Sequence, residues 1–256
     1  MRAAKFVRSD GEPSMDIDKP VKSRPAAAQW GSDHVADGMR ALGIEYIALT
    51  PGASFRGLHD SLVNYLGNAK PSMLLALHEE SAVAIAHGYA KITGKPLGVL
   101  LHSNVGLMHA SMAIFNAWCE RVPMLIYGGN GPMDANARRP WVDWTHTCTD
   151  QAALVRHFIK WDNQPASLPA TAEAMLRAAM IAQTPPCAPT YVIFDSTLQE
   201  ARLDKPIPIP DVTRFRPPPS AHPAPEVLRG AASMLAQAKR PLILAGRGSR
   251  SLESWR

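Results

Sequence analysis

Cysteine is scarce, with three residues in 256, and Cys119, Cys148 and Cys187 show no paired spacing. That excludes a disulfide framework and a cysteine-based zinc site, and it fits a reducing compartment. No apolar run reaches the ~18 residues that a membrane-spanning helix needs. The opening segment MRAAKFVRSDGEPSMDIDKP lacks the apolar centre of a secretion signal. A soluble, cytoplasmic protein without a membrane partner is the expectation. Also missing is any Lys/Arg stripe interleaved with aromatics. The net charge of +5 comes from residues that are scattered or near the ends, so it reads as solubility charge, with no nucleic-acid partner.

Hydrophobic residues make up 46% of the chain, enough for one or two domains with a real core. Residues 1–27 are polar and broken by Pro13, Pro20 and Pro25, and read as a flexible leader. Short apolar runs then recur: IEYIAL (44–49), SMLLAL (72–77), LGVLL (97–101), PMLIY (123–127) and TYVIFD (190–195). Helix-like segments lie between them at 31–43, 55–67, 80–93, 106–120 and 170–184, the last following a KWDNQPAS loop. Strands without polar alternation, separated by helices, imply an α/β fold with a parallel sheet covered by helices on both faces, over residues 28–200.

Residues 201–225 read as a proline-rich linker, since eight prolines between 204 and 226 suit neither a helix nor a central strand. Residues 226–256 supply one helix and one strand, PLILAG. This is too little to bury a core, and it is expected to be the incomplete start of a second α/β domain.

The sequence LHEESAVAIAHGYAKITGKP sets His78, Glu79 and Glu80 where a buried strand meets a helix. A carboxylate there is costly unless something uses it. Taken with PGASF (51–55), LLHSNVG (100–106), NAW (116–118) and the KW…PAS loop, the series resembles the N-terminal pyrimidine-binding domain of thiamine-diphosphate enzymes. The branch it resembles is the acetolactate synthase, pyruvate decarboxylase and benzoylformate decarboxylase type.

The resemblance implies a catalytic role for Glu79. In an apolar pocket its carboxyl hydrogen-bonds pyrimidine N1′, so that the cofactor's 4′-amino group can take the thiazolium C2 proton. Glu80 reads as an ordinary helix-start acid and His78 as a polar flank. His102, at the end of the third strand, matches a histidine that assists around decarboxylation.

Pro51 and Gly52 are a turn pair by composition, and the resemblance adds a place in the pyrimidine pocket. The family's substrate-facing serine falls at Ala53, one position before Ser54. His109 stands where an asparagine usually contacts the cofactor. Ala82, Ala86 and Ala90 form a small-residue face for core packing, a dimer contact, or both.

The loop RRPWVDWTHT (138–147), with Trp141, Trp144 and His146, is either an anchor into the core or a wall at the site entrance. GGNGP (128–132) lacks the Lys–Ser/Thr of a phosphate-binding loop and reads as the loop after the fourth strand. GRGSRS near the end completes no dinucleotide fingerprint, so FAD is not expected.

In the family a C-terminal domain holds the diphosphate and Mg²⁺ through a Gly-Asp-Gly signature, which this sequence does not contain. The expectation is therefore the N-terminal portion of a 2-oxo-acid decarboxylase or carboligase, truncated and inactive alone. It would act as a dimer or tetramer with the site between chains. The alternatives are one subunit of a split enzyme or a non-catalytic binding module.

Overall fold

The computed structural model describes residues 27–219 and 221–244. Six strands form one sheet: β1 (Tyr46–Leu49), β2 (Ser72–Leu75), β3 (Gly98–Leu101), β4 (Met124–Asn130), β5 (Trp161–Asn163) and β6 (Pro189–Asp195). Every pairing is parallel and the order is β2-β1-β3-β4-β6-β5. The central strands β3, β4 and β6 are buried along their whole length, whereas the edge strands β2 and β5 are only partly covered. The run-like hydrophobicity of the central strands follows from this, because both of their faces meet helices.

The helices are α1 (Gly31–Ala41), α2 (Arg56–Asp60), α3 (Glu79–Thr93), α4 (Ser103–Cys119), α5 (Val142–His146), α6 (Leu168–Gln183), α7 (Ser196–Gln199) and α8 (Pro225–Gln237). On one face α3 and α4 cover the sheet. Ala82, Ala86 and Ala90 of α3 pack into the same cluster as Ala110, Ala113 and Ala117 of α4. The alanine stripe is thus used up inside the domain, where small side chains let two helices and the sheet approach closely. On the other face α1, the α2 turn and α6 bury Met39, Leu58, Leu62 and Met175 against β1, β3 and β4. Among the described residues, no helix is long and apolar enough to cross a membrane.

Local chemistry sets the helix starts. The His78 side chain caps α3 by accepting the Glu80 N–H at 3.2 Å, and Glu79 and Glu80 sit in the first turn, favoured by the helix dipole. Gly94, at φ +71°, ends α3 in the left-handed conformation that glycine adopts without strain.

Several expectations need correction. The segment expected as one helix over 55–67 is a 3₁₀ turn (Ala53–Phe55), then α2, then a π turn (Ser61–Tyr65). Hydrophobic spacing does not report which hydrogen-bond step each turn takes. The KWDNQPAS loop contains β5, a three-residue edge strand too short to leave a periodic signal. The strand expected over 123–127 continues to Asn130, so the first three residues of GGNGP lie within it. Gly128 and Gly129 are there because side chains would not fit: a Cβ would lie 2.0 Å from the Tyr191 hydroxyl and 2.3 Å from Ser54 Oγ, respectively. In the tail α8 forms and is exposed throughout, but residues 241–244 are not a strand. The rest of PLILAG and residues 1–26 of the leader lie outside the described residues.

Two buried tyrosines make a contrast. Tyr127 stacks on Phe194 with ring centroids 5.6 Å apart, and its hydroxyl has no hydrogen-bond partner among the described residues. The Tyr191 hydroxyl receives the Gln151 amide, which also donates to the Gly129 carbonyl at 3.2 Å. Removing an unpaired buried hydroxyl releases its desolvation cost, while removing a paired one strands its partner. Tyr127→Phe should leave stability unchanged or raise it by up to about 1 kcal/mol, and Tyr191→Phe should cost about 1–2 kcal/mol, read from denaturant midpoints. Equal losses would contradict the assignment.

His34 of α1 is 1% exposed, with Nε2 donating to the Leu168 carbonyl at 3.1 Å, and so ties α1 to α6. Burial pulls its basicity below the ordinary value of 6.5. The unfolded chain therefore takes up more protons, and this share of stability is complete above that value and lost as the pH falls below it. On going from about pH 7.5 to about pH 5.5, the unmutated chain should lose more stability than His34→Gln. Parallel losses in thermal unfolding would refute this.

Candidate active site

In a parallel sheet, all strands end on the same side, and the loops that follow them converge there. The chain runs outward from β1 to β2 and then returns to place β3 on the other side of β1. The strand order thus reverses between β1 and β3, the position where open α/β sheets bind ligands. The loops after these two strands carry Pro51–Ser54 and His102, and the turn after β2 carries Glu79.

These groups meet. His102 Nδ1 lies 2.9 Å from Ser54 Oγ and 3.4 Å from the Ser54 backbone N. Ser54 Oγ also accepts the Ser103 N–H at 3.1 Å. Gly52 is required by space: its backbone is extended, but a Cβ would sit 2.5, 2.6 and 2.9 Å from Cβ, Cγ and Nδ1 of His102. Gly106, in the first turn of α4, marks a looser gap. A Cβ there would lie 3.2 Å from Cγ and 3.3 Å from Oε1 of Glu79, and 3.4 Å from Cβ of His102. Glu79, Gly106 and His102 are therefore neighbours. The Glu79 side chain is half-buried, and its carboxylate has no hydrogen-bond partner among the described residues.

Ser103, wholly buried at the strand-to-helix corner, holds φ at +37°, a strained value for a residue with a side chain. Such a corner can present a nucleophilic serine. Here Oγ is buried and donates to Asn104 Oδ1 at 2.9 Å, so the strained turn serves to aim His102.

The loop after β4 closes the site from a third side. Asn130 grips the backbone of Cys148 twice, at 3.0 Å each, through its carbonyl and its amide. Within the loop, Asp143 is 3% exposed and accepts the Arg139 backbone N–H at 2.7 Å and guanidinium N–H groups at 2.9 and 2.8 Å. This buried acid anchors the loop, whereas Trp141 and Trp144 are 86% and 62% exposed and anchor nothing in the core. The loop brings His146 against His102, with ring centroids 4.7 Å apart and planes tilted by 34°. Burial first, and then the like charge of His146, lower the His102 basicity, while Glu79 acts in the opposite direction.

Not every residue singled out by sequence joins this group. His109 is exposed and its ring meets His78 edge-on at 5.0 Å. Pro51 and Ala53 are exposed and, with Gly52, line an open groove of about 530 Å³ that continues to Arg56 and His59. Ser54 is buried and turned toward His102 and Gly129. Sequence reading named His146 only within an ambiguous loop and missed Asp143, whose one signal was the Arg139–Asp143 spacing of four. A second cavity, about 1130 Å³ and lined by Trp118, Lys160 and Pro186 among others, lies beside residues that precede β4, β5 and β6 and contains none of the site residues.

A parallel α/β domain with polar groups at a strand-order switch is of the class whose ligand sites lie at the carboxyl ends of the strands. Residues 29–154 match the thiamine pyrophosphate enzyme, N-terminal TPP binding domain, so this segment of the chain is a domain of that kind. The chain is 27% identical over 175 residues to benzoylformate decarboxylase of Pseudomonas aeruginosa, covering 68% of this chain and 32% of the relative. It is 25% identical over 217 residues to acetolactate synthase of Bacillus subtilis, covering 84% and 36%. The crystal structure of benzoylformate decarboxylase from Polynucleobacter necessarius superposes with a TM-score of 0.69 at 24% identity, over 84% of this chain and 38% of that one, a likeness of fold. This chain spans about a third of the length of these curated relatives.

Gly52→Ala should cost about 1–3 kcal/mol in stability and shift the His102 ring resonances, because the added methyl overlaps the imidazole. Gly88→Ala, on the exposed face of α3 with nothing within 4 Å, should stabilise by about 0.5–1 kcal/mol. Urea melts of the two variants check the contrast, and a neutral Gly52→Ala would refute the close packing.

Proposed function

We propose that this chain is the pyrimidine-binding N-terminal portion of a thiamine-diphosphate-dependent decarboxylase or carboligase acting on a 2-oxo acid, with Glu79 as the activating carboxylate. The observation that carries this reading is the Glu79 side chain itself. It opens α3 at the carboxyl ends of the strands, beside Gly106 and His102, and no described residue satisfies its carboxylate. A helix-start acid needs only the dipole; one placed against a histidine over a glycine gap is suited to a ligand atom.

The residues fit the cofactor. Glu79 would hydrogen-bond pyrimidine N1′, and Pro51, Gly52 and Ala53 would offer a backbone-lined wall. When bound, thiamine diphosphate supplies a carbon nucleophile toward the carbonyl of a 2-oxo acid. Glu79 would share a hydrogen bond with N1′, and low-dielectric surroundings would strengthen it once water is excluded. His102 places a second proton-handling group beside it. The names of the relatives support the substrate class, since benzoylformate is a 2-oxo acid.

Glu79 is half-exposed in the single chain, so exclusion of water calls for another surface. A second copy is the proposed cover, in a dimer or tetramer. The support is an exposed apolar set on the α3–α4 side of the sheet: Leu77, Ile85, Ile92, Met108, Met112 and Phe115. Mg²⁺ and the diphosphate are assigned to residues beyond this sequence.

In the assembled holoenzyme, Glu79→Gln should slow exchange of the cofactor C2 proton by about 10²–10⁴-fold while leaving KM for the 2-oxo acid little changed. Unaltered exchange would remove the activating role.

A further inference from the structure

We propose that Ser54 and His146 are positioning residues that hold His102 as a neutral imidazole carrying its proton on Nε2, so that it enters the site as a hydrogen-bond donor. The catalytic meaning of this arrangement rests on the thiamine-diphosphate reading; the protonation geometry stands without it.

Hydrogen-bond polarity fixes the tautomer. A backbone N–H can only donate, and the Ser54 N–H points at His102 Nδ1 from 3.4 Å. Ser54 Oγ, 2.9 Å from the same nitrogen, accepts from the Ser103 N–H and has its own hydrogen free to donate to Nδ1. The backbone contact requires a lone pair at Nδ1, and the hydroxyl can donate to that same lone pair, which leaves the proton of neutral His102 on Nε2.

His146 is held the opposite way. Its Nδ1 lies 2.6 Å from the Val142 carbonyl, which can only accept, so Nδ1 carries a proton and, in the neutral ring, the lone pair falls on Nε2. Thr145 Oγ1 lies 3.1 Å from the same Nδ1. Among the described residues, neither Nε2 has a hydrogen-bond partner. The two rings therefore bring one donor and one acceptor to the same end of the sheet.

Charge keeps the pair from both being cationic. At 4.7 Å between centroids, a proton on one ring opposes a proton on the other. The groups that face His102 are Ser54 from the loop after β1, Phe55 edge-on at 6.4 Å, Glu79 from α3 and His146 from α5. Only Glu79 favours the charged form, and burial together with His146 outweighs it. Asp143 is the acid that faces His146 from its own helix, and its charge is engaged by Arg139. A neutral Nε2–H donor can bond a developing oxyanion or carboxylate without becoming a buried cation.

The test is imidazole ¹⁵N NMR on the 256-residue chain, with His102→Asn to assign the ring. At about pH 7.5, about one unit above the ordinary histidine value, His102 should show a bare Nδ1 and a protonated Nε2. Ser54→Ala should give a mixture of both tautomers, and Ser54→Thr, which keeps the hydroxyl, should restore the single form. His146→Gln should raise the proton affinity of His102 about fourfold, the effect of two unit charges at this separation under water-like screening. In the unmutated chain the second of the two rings to be protonated opposes the charge on the first. A protonated Nδ1 in the unmutated chain overturns the proposal whatever the variants do. So does a His102 titration unmoved by His146→Gln. Failure of the assembled enzyme to bind thiamine diphosphate would defeat the cofactor reading and leave this assignment intact.

Discussion

The hydrogen bond between Ser54 and His102 joins the loops that follow β1 and β3, and the geometry of the site hangs from it. These two strands are hydrogen-bonded neighbours across which the chain reverses its direction of travel through the sheet. Their loops must therefore diverge and still be tied together. The tie is built at some cost: Ser103 is held at a strained φ, and Gly52 and Gly129 give up side chains so that His102 and Ser54 can approach. Such strain persists where surrounding contacts over-determine it, and here Ser54 Oγ takes the N–H of the strained residue.

The sheet explains why chemistry is confined to this end. With helices on both faces and alanines packed at the α3–α4 seam, no space remains over the strands for a ligand. Polar groups converge instead at the loop ends. There Glu79 from the α3 start, His102 from the α4 start and His146 from α5 approach from three sides of the same opening. Each is delivered by a rigid device: a histidine cap on α3, a strained corner before α4, and the buried Asp143 with the Asn130 clamp under α5.

Much of this was legible in the sequence, and the limits have physical causes. The buried strands announced themselves because two covered faces demand unbroken apolar runs. Glu79 and His102 stood out as polar residues at the ends of such runs. The edge strand β5 escaped because three half-covered residues carry no pattern, and the glycines of β4 looked like a loop because glycine also marks turns. Ser54 read as a candidate substrate contact until its direction was known. The two tryptophans drew attention by size, yet it is the smaller Asp143 that is buried.

What the sequence by itself determined is periodicity: which segments are strands, which are helices, that the sheet is parallel and two-sided, and where polar residues interrupt it. Those follow from local hydrogen bonding and from the demand that apolar side chains leave water. Only the tertiary structure decided which interruptions share a site, which tautomer each histidine adopts and which glycine is a gap for a neighbour. Such facts depend on contacts between residues some 50 positions apart in the chain, such as Ser54 with His102, whose partners nothing local identifies.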